Sequence, residues 1–179
     1  MKRMLIGISN IILFTGVLLY AGCAGGSEPE QVLNDQGYWE ISKSGITLQW
    51  KVVGDNLDVI LNAPTTGWVA VGFDPSNRMQ GANIILGKVN NGIPEVRDDF
   101  GSAPTDHTED VSQDVTPNGG TEVDGITTVS FIIPLDSEDP MDKPLVEGES
   151  YKVILSYGSN DNDNFDQKHS TRTSVTITL

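Results

Sequence analysis

Gly67-Trp68-Val69-Ala70-Val71-Gly72-Phe73 runs into Asp74-Pro75-Ser76 and then, after Asn77-Arg78, into Met79-Gln80-Gly81-Ala82-Asn83-Ile84-Ile85-Leu86-Gly87. This is a continuous apolar strand, a tight polar turn, and a second apolar strand opened and closed by glycine. The sequence on either side has a period of two. Ile46, Leu48, Trp50 and Val52 alternate with Thr47, Gln49 and Lys51, and Leu57, Val59 and Leu61 repeat the pattern beyond Asp55-Asn56, so residues 46–62 predict a hairpin. Ala82 to Val89 is followed, across Asn90-Asn91-Gly92, by Ile93 to Phe100. Thr127 to Ile133, Tyr151 to Tyr157 and Thr173 to Leu179 alternate in the same way. No stretch after Cys23 carries a helical stripe, and Gly or Pro interrupts nearly every window. About nine short strands predict an all-β fold, a single antiparallel immunoglobulin-like β-sandwich. Gly101 to Asn118 and Gly158 to Ser170 read as long polar loops, of the kind that carry function in small sandwiches.

Composition narrows the chemistry. The 179 residues contain 25 Asp and Glu against 11 Lys and Arg, for a formal net charge of −14. A phosphate backbone needs clustered cations, so nucleic acid is not an expected partner. One Cys cannot form an intrachain disulfide, and two His exclude any site built from three imidazoles. Gly-x-Ser-x-Gly, Gly-x-Gly-x-x-Gly, P-loop and His-Glu-x-x-His signatures are absent, and the carboxylates are scattered over turns, so the chain is not expected to be an enzyme. Asn160-Asp161-Asn162-Asp163-Asn164 is oxygen-rich but lacks the Gly and Glu an EF-hand requires, and it reads as a solvated loop. His107 reads as an exposed loop residue without a role.

The amino-terminal residues read as an address. Lys2-Arg3 precedes an uncharged stretch from Met4 to Ala21, which ends at Tyr20-Ala21-Gly22-Cys23. The only Cys, directly after Ala-Gly, resembles the lipobox of bacterial lipoproteins, with Tyr20 where an aliphatic residue is usual. The resemblance implies a signal peptide over 1–22, acylation at Cys23 and a flexible tether to residue 36, leaving the sandwich at 37–179. It also implies an extracytoplasmic protein, lipid-anchored to a bacterial membrane and facing the periplasm or the cell surface, with the outer membrane favoured by Ala24.

The Gly-Trp-Val-Ala-Val-Gly-Phe run and the Met-x-Gly-Ala after it together closely resemble the DOMON family. That family is named for dopamine β-monooxygenase and is related to the cytochrome domain of cellobiose dehydrogenase. The resemblance continues through Val96-Arg97-Asp98-Asp99-Phe100, Pro134-Leu135-Asp136, Leu155-Ser156-Tyr157-Gly158 and His169. Asn83 stands where the family commonly has Asp, and Ile133 where Arg often precedes Pro-Leu. In haem-binding members, haem b is held between a Met of the Met-x-Gly-Ala segment and a His near the C-terminal strands. Carried onto this chain, these are Met79 and His169, which would be axial ligands of a non-covalent haem iron set at the end of the sandwich between loops 74–81 and 158–170. Trp68, Phe73, Ile84 and Tyr157 would supply apolar lining. A thioether and an imidazole fill both axial positions, which suits electron transfer rather than oxygen chemistry. The implied partner is a redox protein or membrane cytochrome, and the acidic composition suggests a basic docking face on it. The alternative is a haem-free module binding carbohydrate through Trp39, Trp50, Trp68 and Tyr151.

Overall fold

The structure, a computed structural model, describes residues 28–179. Its strands are β1 (Val32–Leu33), β2 (Trp39–Lys43), β3 (Ile46–Val53), β4 (Asn56–Ala63), β5 (Val69–Phe73), β6 (Asn83–Asn90), β7 (Ile93–Ala103), β8 (Asp106–Glu109), β9 (Thr116–Val123), β10 (Ile126–Pro134), β11 (Ser150–Tyr157) and β12 (Thr171–Thr178). They form two antiparallel six-stranded sheets, ordered β1-β2-β3-β4-β10-β9 and β12-β11-β5-β6-β7-β8. The all-β sandwich read from the alternation is the fold.

Each sheet turns one set of alternating residues inward. Leu48, Trp50, Val59 and Phe131 from the first sheet meet Val71, Ile85, Val153 and Ile177 from the second in one continuous core. Trp50 is wholly buried, and its Nε1–H donates to the Thr178 carbonyl at 3.2 Å, so the indole is both packed and satisfied. Gly87 lets the layers approach, because a Cβ there would lie 2.8 Å from Val129 Cγ1. The hairpin predicted over 46–62 is β3–β4, with Asn56 pairing as the first strand residue rather than serving as a turn.

Two segments differ from expectation. Gly101 to Asn118 is mostly strand: β7 continues to Ala103, β8 folds back on it, and β9 begins at Thr116. β9 is exposed or half-buried throughout, so it has no buried face to impose alternation on its sequence. The expected tether is partly docked. β1 pairs with β2, Lys43 Nζ reaches Glu28 at 2.6 Å, and Gln31 bonds both backbone groups of Thr178. The expected signal segment and Cys23 lie outside the described residues.

Phe131 fills the middle of the core at 1% exposure. Phe131→Ala is expected to lower unfolding free energy by about 3–5 kcal/mol. In a domain of this size that is a fall of about 10 °C in the melting midpoint, read by circular dichroism.

Candidate ligand cleft on the outer face of the second sheet

A strand covered on one side alternates between buried and exposed residues; β5 is buried at all five positions, and β6 at its first five. The residues between those of the main core form a second cluster, Trp68, Ala70, Ala82, Ile84 and Leu86, with Met79 and Phe165 against it. This cluster lies on the outer face of the second sheet. Strand register sets its rows: Arg172, Ser156, Ala70, Leu86 and Arg97 lie across the sheet in one, and Ser174, Ile154, Gly72, Ile84 and Asp99 in the next. Gly72 keeps the floor level, since a Cβ there would come within 2.7 Å of Ile154.

Two loops rise over this face. The first, 74–82, is shaped by left-handed backbone at Asp74, Arg78 and Gly81, and by a miniature bridge in which Gln80 N–H donates to Asn77 O at 2.9 Å. It is laid onto β7 by Gly81 N–H to Gly101 O at 2.8 Å and Gly101 N–H to Ala82 O at 2.9 Å. A Cβ on Gly101 would fall 1.8 Å from the Met79 carbonyl oxygen, so only glycine at 101 permits the backbone position that places Met79.

The second loop, 158–170, is tied down at both ends: Gly158 N–H donates to Trp68 O at 2.8 Å, Trp68 N–H to Asn162 O at 3.1 Å, and Ser170 N–H to Tyr157 O at 2.9 Å. In its middle, Phe165 lies under Lys88 and Arg97 at 5.0 and 5.2 Å, and Arg97 holds Asp166 at 3.1 Å. Four side chains of the Asn160–Asn164 run serve this docking and local turns: Asn160 Oδ1 accepts from Thr66 N–H, Asp161 exchanges hydrogen bonds with Thr66, Asn162 Oδ1 accepts from Asn164 N–H and Asn164 Oδ1 from Asp166 N–H, while Asp163 Oδ1 is buried without a partner among the described residues.

The two sequence-predicted residues converge. Met79 and His169, ninety positions apart in sequence, both line a cleft of about 240 Å³ floored by Trp68, Ala70, Gly72, Ile84 and Leu86. Both also line an adjoining groove of about 840 Å³ over β11 and β12. The site is therefore on the flank of the second sheet, not at the end of the sandwich. Burial pushes the His169 pKa below the ordinary histidine value, and the nearby Arg172 and Lys168 charges push it further the same way, so its imidazole is neutral at pH 7. A neutral imidazole and a thioether are a donor pair suited to low-spin iron. The Trp68 Nε1–H, on the cleft floor, is buried without a hydrogen-bond partner among the described residues. Among those residues no group of three or more His, Cys, Asp or Glu is arranged to hold a metal ion.

Strand parity corrects half of the expected lining. Trp68 and Ile84 belong to the outer face, whereas Phe73 lies in the core between the sheets and Tyr157 packs against that core. The aromatic platform expected for a carbohydrate module is not assembled: Trp50 is between the sheets, Trp68 is beneath the cleft, and Trp39 alone of the three tryptophans is exposed. His107 is not a free loop residue. Its Nδ1 meets the wholly buried Asp99 at 2.5 Å, Arg97 holds the same carboxylate at 2.7 Å, and His107 also lines the smaller cleft. Nothing in a local sequence window marks this, because β7 and β8 bring the partners together only on pairing.

Asp98, one residue before Asp99 and facing the opposite way, is 1% exposed with neither carboxyl oxygen hydrogen-bonded among the described residues. Desolvation, then repulsion from Asp142, Asp110, Asp114 and Asp99, raises its pKa to about 8.

Comparison with known proteins places these features in context. The DOMON domain profile matches residues 42–158. The mouse (Mus musculus) DBH-like monooxygenase protein 1 is 32% identical over 143 residues, covering 79% of this chain and 22% of that protein, and its human (Homo sapiens) counterpart is 29% identical over 155 residues, covering 84% and 24%. The chain thus spans about a quarter or less of these relatives. Among solved structures, the cytochrome b domain of pyranose dehydrogenase from Coprinopsis cinerea superposes with a TM-score of 0.66 at 12% identity, covering 83% of this chain and 87% of that one. The cytochrome domain of Myriococcum thermophilum cellobiose dehydrogenase gives 0.56 at 8% identity, with 84% and 88% covered. At these identities the likeness is one of fold.

The Asp98 carboxyl sets a pH dependence of stability. Unfolded, it releases its proton near 3.8; folded, near 8, so the native state binds more protons between these values. Its contribution is full below about pH 4 and is lost as pH rises to about 8. Asp98→Asn is expected to flatten that part of the profile, raising the urea midpoint at pH 8 relative to wild type more than at pH 5.

Proposed function

This chain belongs to the DOMON domain family, and from that premise we propose that it is an extracytoplasmic, lipid-anchored haem b-binding protein that exchanges electrons with a redox partner and catalyses no reaction of its own. The observation that carries the proposal is the convergence of Met79 and His169, from separate loops, on one cleft with an apolar floor. The solved structures of like fold are a cytochrome b domain and a cytochrome domain, which supports the same ligand class.

The residues present fit the group. Ala70, Gly72, Ile84 and Leu86 offer a flat apolar bed to a planar macrocycle. His169 presents a neutral nitrogen and Met79 a thioether. The adjoining groove supplies cations toward which carboxylates can turn. Haem b, if held by Met79 and His169, would supply a reversible one-electron couple. The chain's part is to hold both ligand loops on a rigid sheet: the Gly101 contact fixes Met79, while the Phe165 and Arg97–Asp166 clamps fix the loop bearing His169. Such preorganisation limits rearrangement on electron exchange.

No comparable observation favours the carbohydrate-binding alternative, since its aromatic residues are dispersed. The monooxygenase activity in the names of the mammalian relatives belongs to proteins more than four times the length of the matched region.

The test is the absorption spectrum of the full chain produced with haem supplied, oxidised and dithionite-reduced. Wild type is expected to give sharp low-spin bands. His169→Ala and Met79→Ala should each turn the spectrum high-spin or abolish haem retention. Gly101→Ala, by displacing the Met79 backbone, should behave like Met79→Ala while the fold melts cooperatively. Because the His169 pKa is lowered, acid-induced haem loss should set in below the ordinary histidine range. A folded protein that takes up no haem would refute the proposal.

A further inference from the structure

The charges of this chain are segregated around the site. Overall, acidic residues outnumber basic ones by 25 to 11. Yet the groove over β11 and β12 is lined by Lys43, Arg78, Lys152, Lys168 and Arg172, and no Asp or Glu lines it among the described residues. These are five of the nine Lys and Arg between residues 28 and 179. Elsewhere three of the four cations are in ion pairs, Lys88 with Glu95, Arg97 with Asp99 and Lys143 with Asp74, and the fourth, Lys51, stands alone on the other sheet, 6.0 Å from the Tyr38 ring. In the groove only Lys43 is, through Glu28, while Arg78, Lys152, Lys168 and Arg172 form no ion pair with any described residue.

Gathering four unpaired cations in a protein of net charge −14 opposes their mutual repulsion and forgoes the many carboxylates available. They come from three separate places: Arg78 from the first loop, Lys168 from the second, and Lys152 and Arg172 from adjacent strands. Between them stand the hydroxyls of Thr105, Ser156, Thr173 and Ser174. Cations and hydroxyls without a carboxylate suit oxyanions. The groove, at about 840 Å³, has room for an organic ligand rather than a lone ion.

We propose that this groove is an oxyanion-binding site that takes two or more carboxylate or phosphate groups of one organic ligand through Arg78, Lys152, Lys168 and Arg172. The charge preference at the site is the reverse of the one expected from composition: the chain presents the cations, and the ligand brings the anions. Two sources share this chemistry, the carboxylates of a tetrapyrrole seated in the apolar cleft and those of a separate polyanion. The inference rests on the haem reading only for the first.

The experiment is calorimetric titration of the full chain, without haem and at low ionic strength, with citrate and with pyrophosphate. Saturable binding is expected, weakened at least tenfold in Lys152→Gln/Arg172→Gln and unchanged in Lys51→Gln, whose site lies away from the groove. Arg78→Gln/Lys168→Gln, confined to the loops, repeats the test should the strand variant fail to fold. Absence of saturable binding by both anions, or equal binding by a folded groove variant, overturns the proposal. Protoporphyrin IX and its dimethyl ester then separate the sources. Preference for the free acid, with citrate competing, assigns the groove to tetrapyrrole carboxylates, whereas simultaneous binding of porphyrin and citrate assigns it to a second ligand. None of these probes contains iron, so loss of the haem reading through the Met79 and His169 variants would leave the anion result intact.

Discussion

A strand within a two-layer sandwich ordinarily has one face in the core and the other in water; Val69–Phe73 has neither face in water. Val69, Val71 and Phe73 close the space between the sheets, so Trp68 and Ala70, with Ile84 and Leu86 beside them, must be covered from outside. Among the described residues no further secondary-structure layer does this. Cover comes instead from two loops, and loops cover a sheet incompletely. The cleft is therefore a direct consequence of making the central strands apolar on both faces. Met79 and His169 take their positions from the same two loops.

Holding those loops in place requires close backbone contacts rather than bulk. Gly101 accepts the Met79 carbonyl, Gly158 lies against the Trp68 indole, and Gly67 packs beneath Ser159 and Asn162. Each contact is too short for a side chain to intervene, so the loops sit on the sheet as parts of it. The long-range ion pair Arg97–Asp166 and the stacking of Lys88 and Arg97 on Phe165 fasten the second loop from the other side. The central part of the site is thus built on strands and rigidly tied loops, an arrangement suited to a ligand held without large motion.

Electrostatics divide the outer face in two. Along one row of the sheet the side chains pass from Arg172 through Ser156, Ala70 and Leu86 to Arg97, charged at both margins and apolar in the middle. At the β7 margin the cations are neutralised by Asp99 and Asp166; at the β12 margin they are not. A net charge summed over the sequence conceals this, because the sum has no direction. The acidic excess lies on other parts of the surface and in the buried Asp98 neighbourhood.

The sequence by itself determined the sandwich and most of the strands, and its family resemblance named two residues that line the cleft. Period-two alternation is a local record of a strand with one buried face, and the Gly-Trp-Val-Ala-Val-Gly-Phe and Met-x-Gly-Ala runs are local too. Edge strands β8 and β9 left little such record, since neither has a face buried in the core. Only the tertiary structure decided that the cleft is on the flank of a sheet, that Phe73 faces away from it while Ile84 faces into it, and that His107 is joined to Asp99. It also decided that four unpaired cations share one groove. These depend on which face a strand turns to its neighbours and on pairings between distant segments, and neither is set by residues adjacent in the chain.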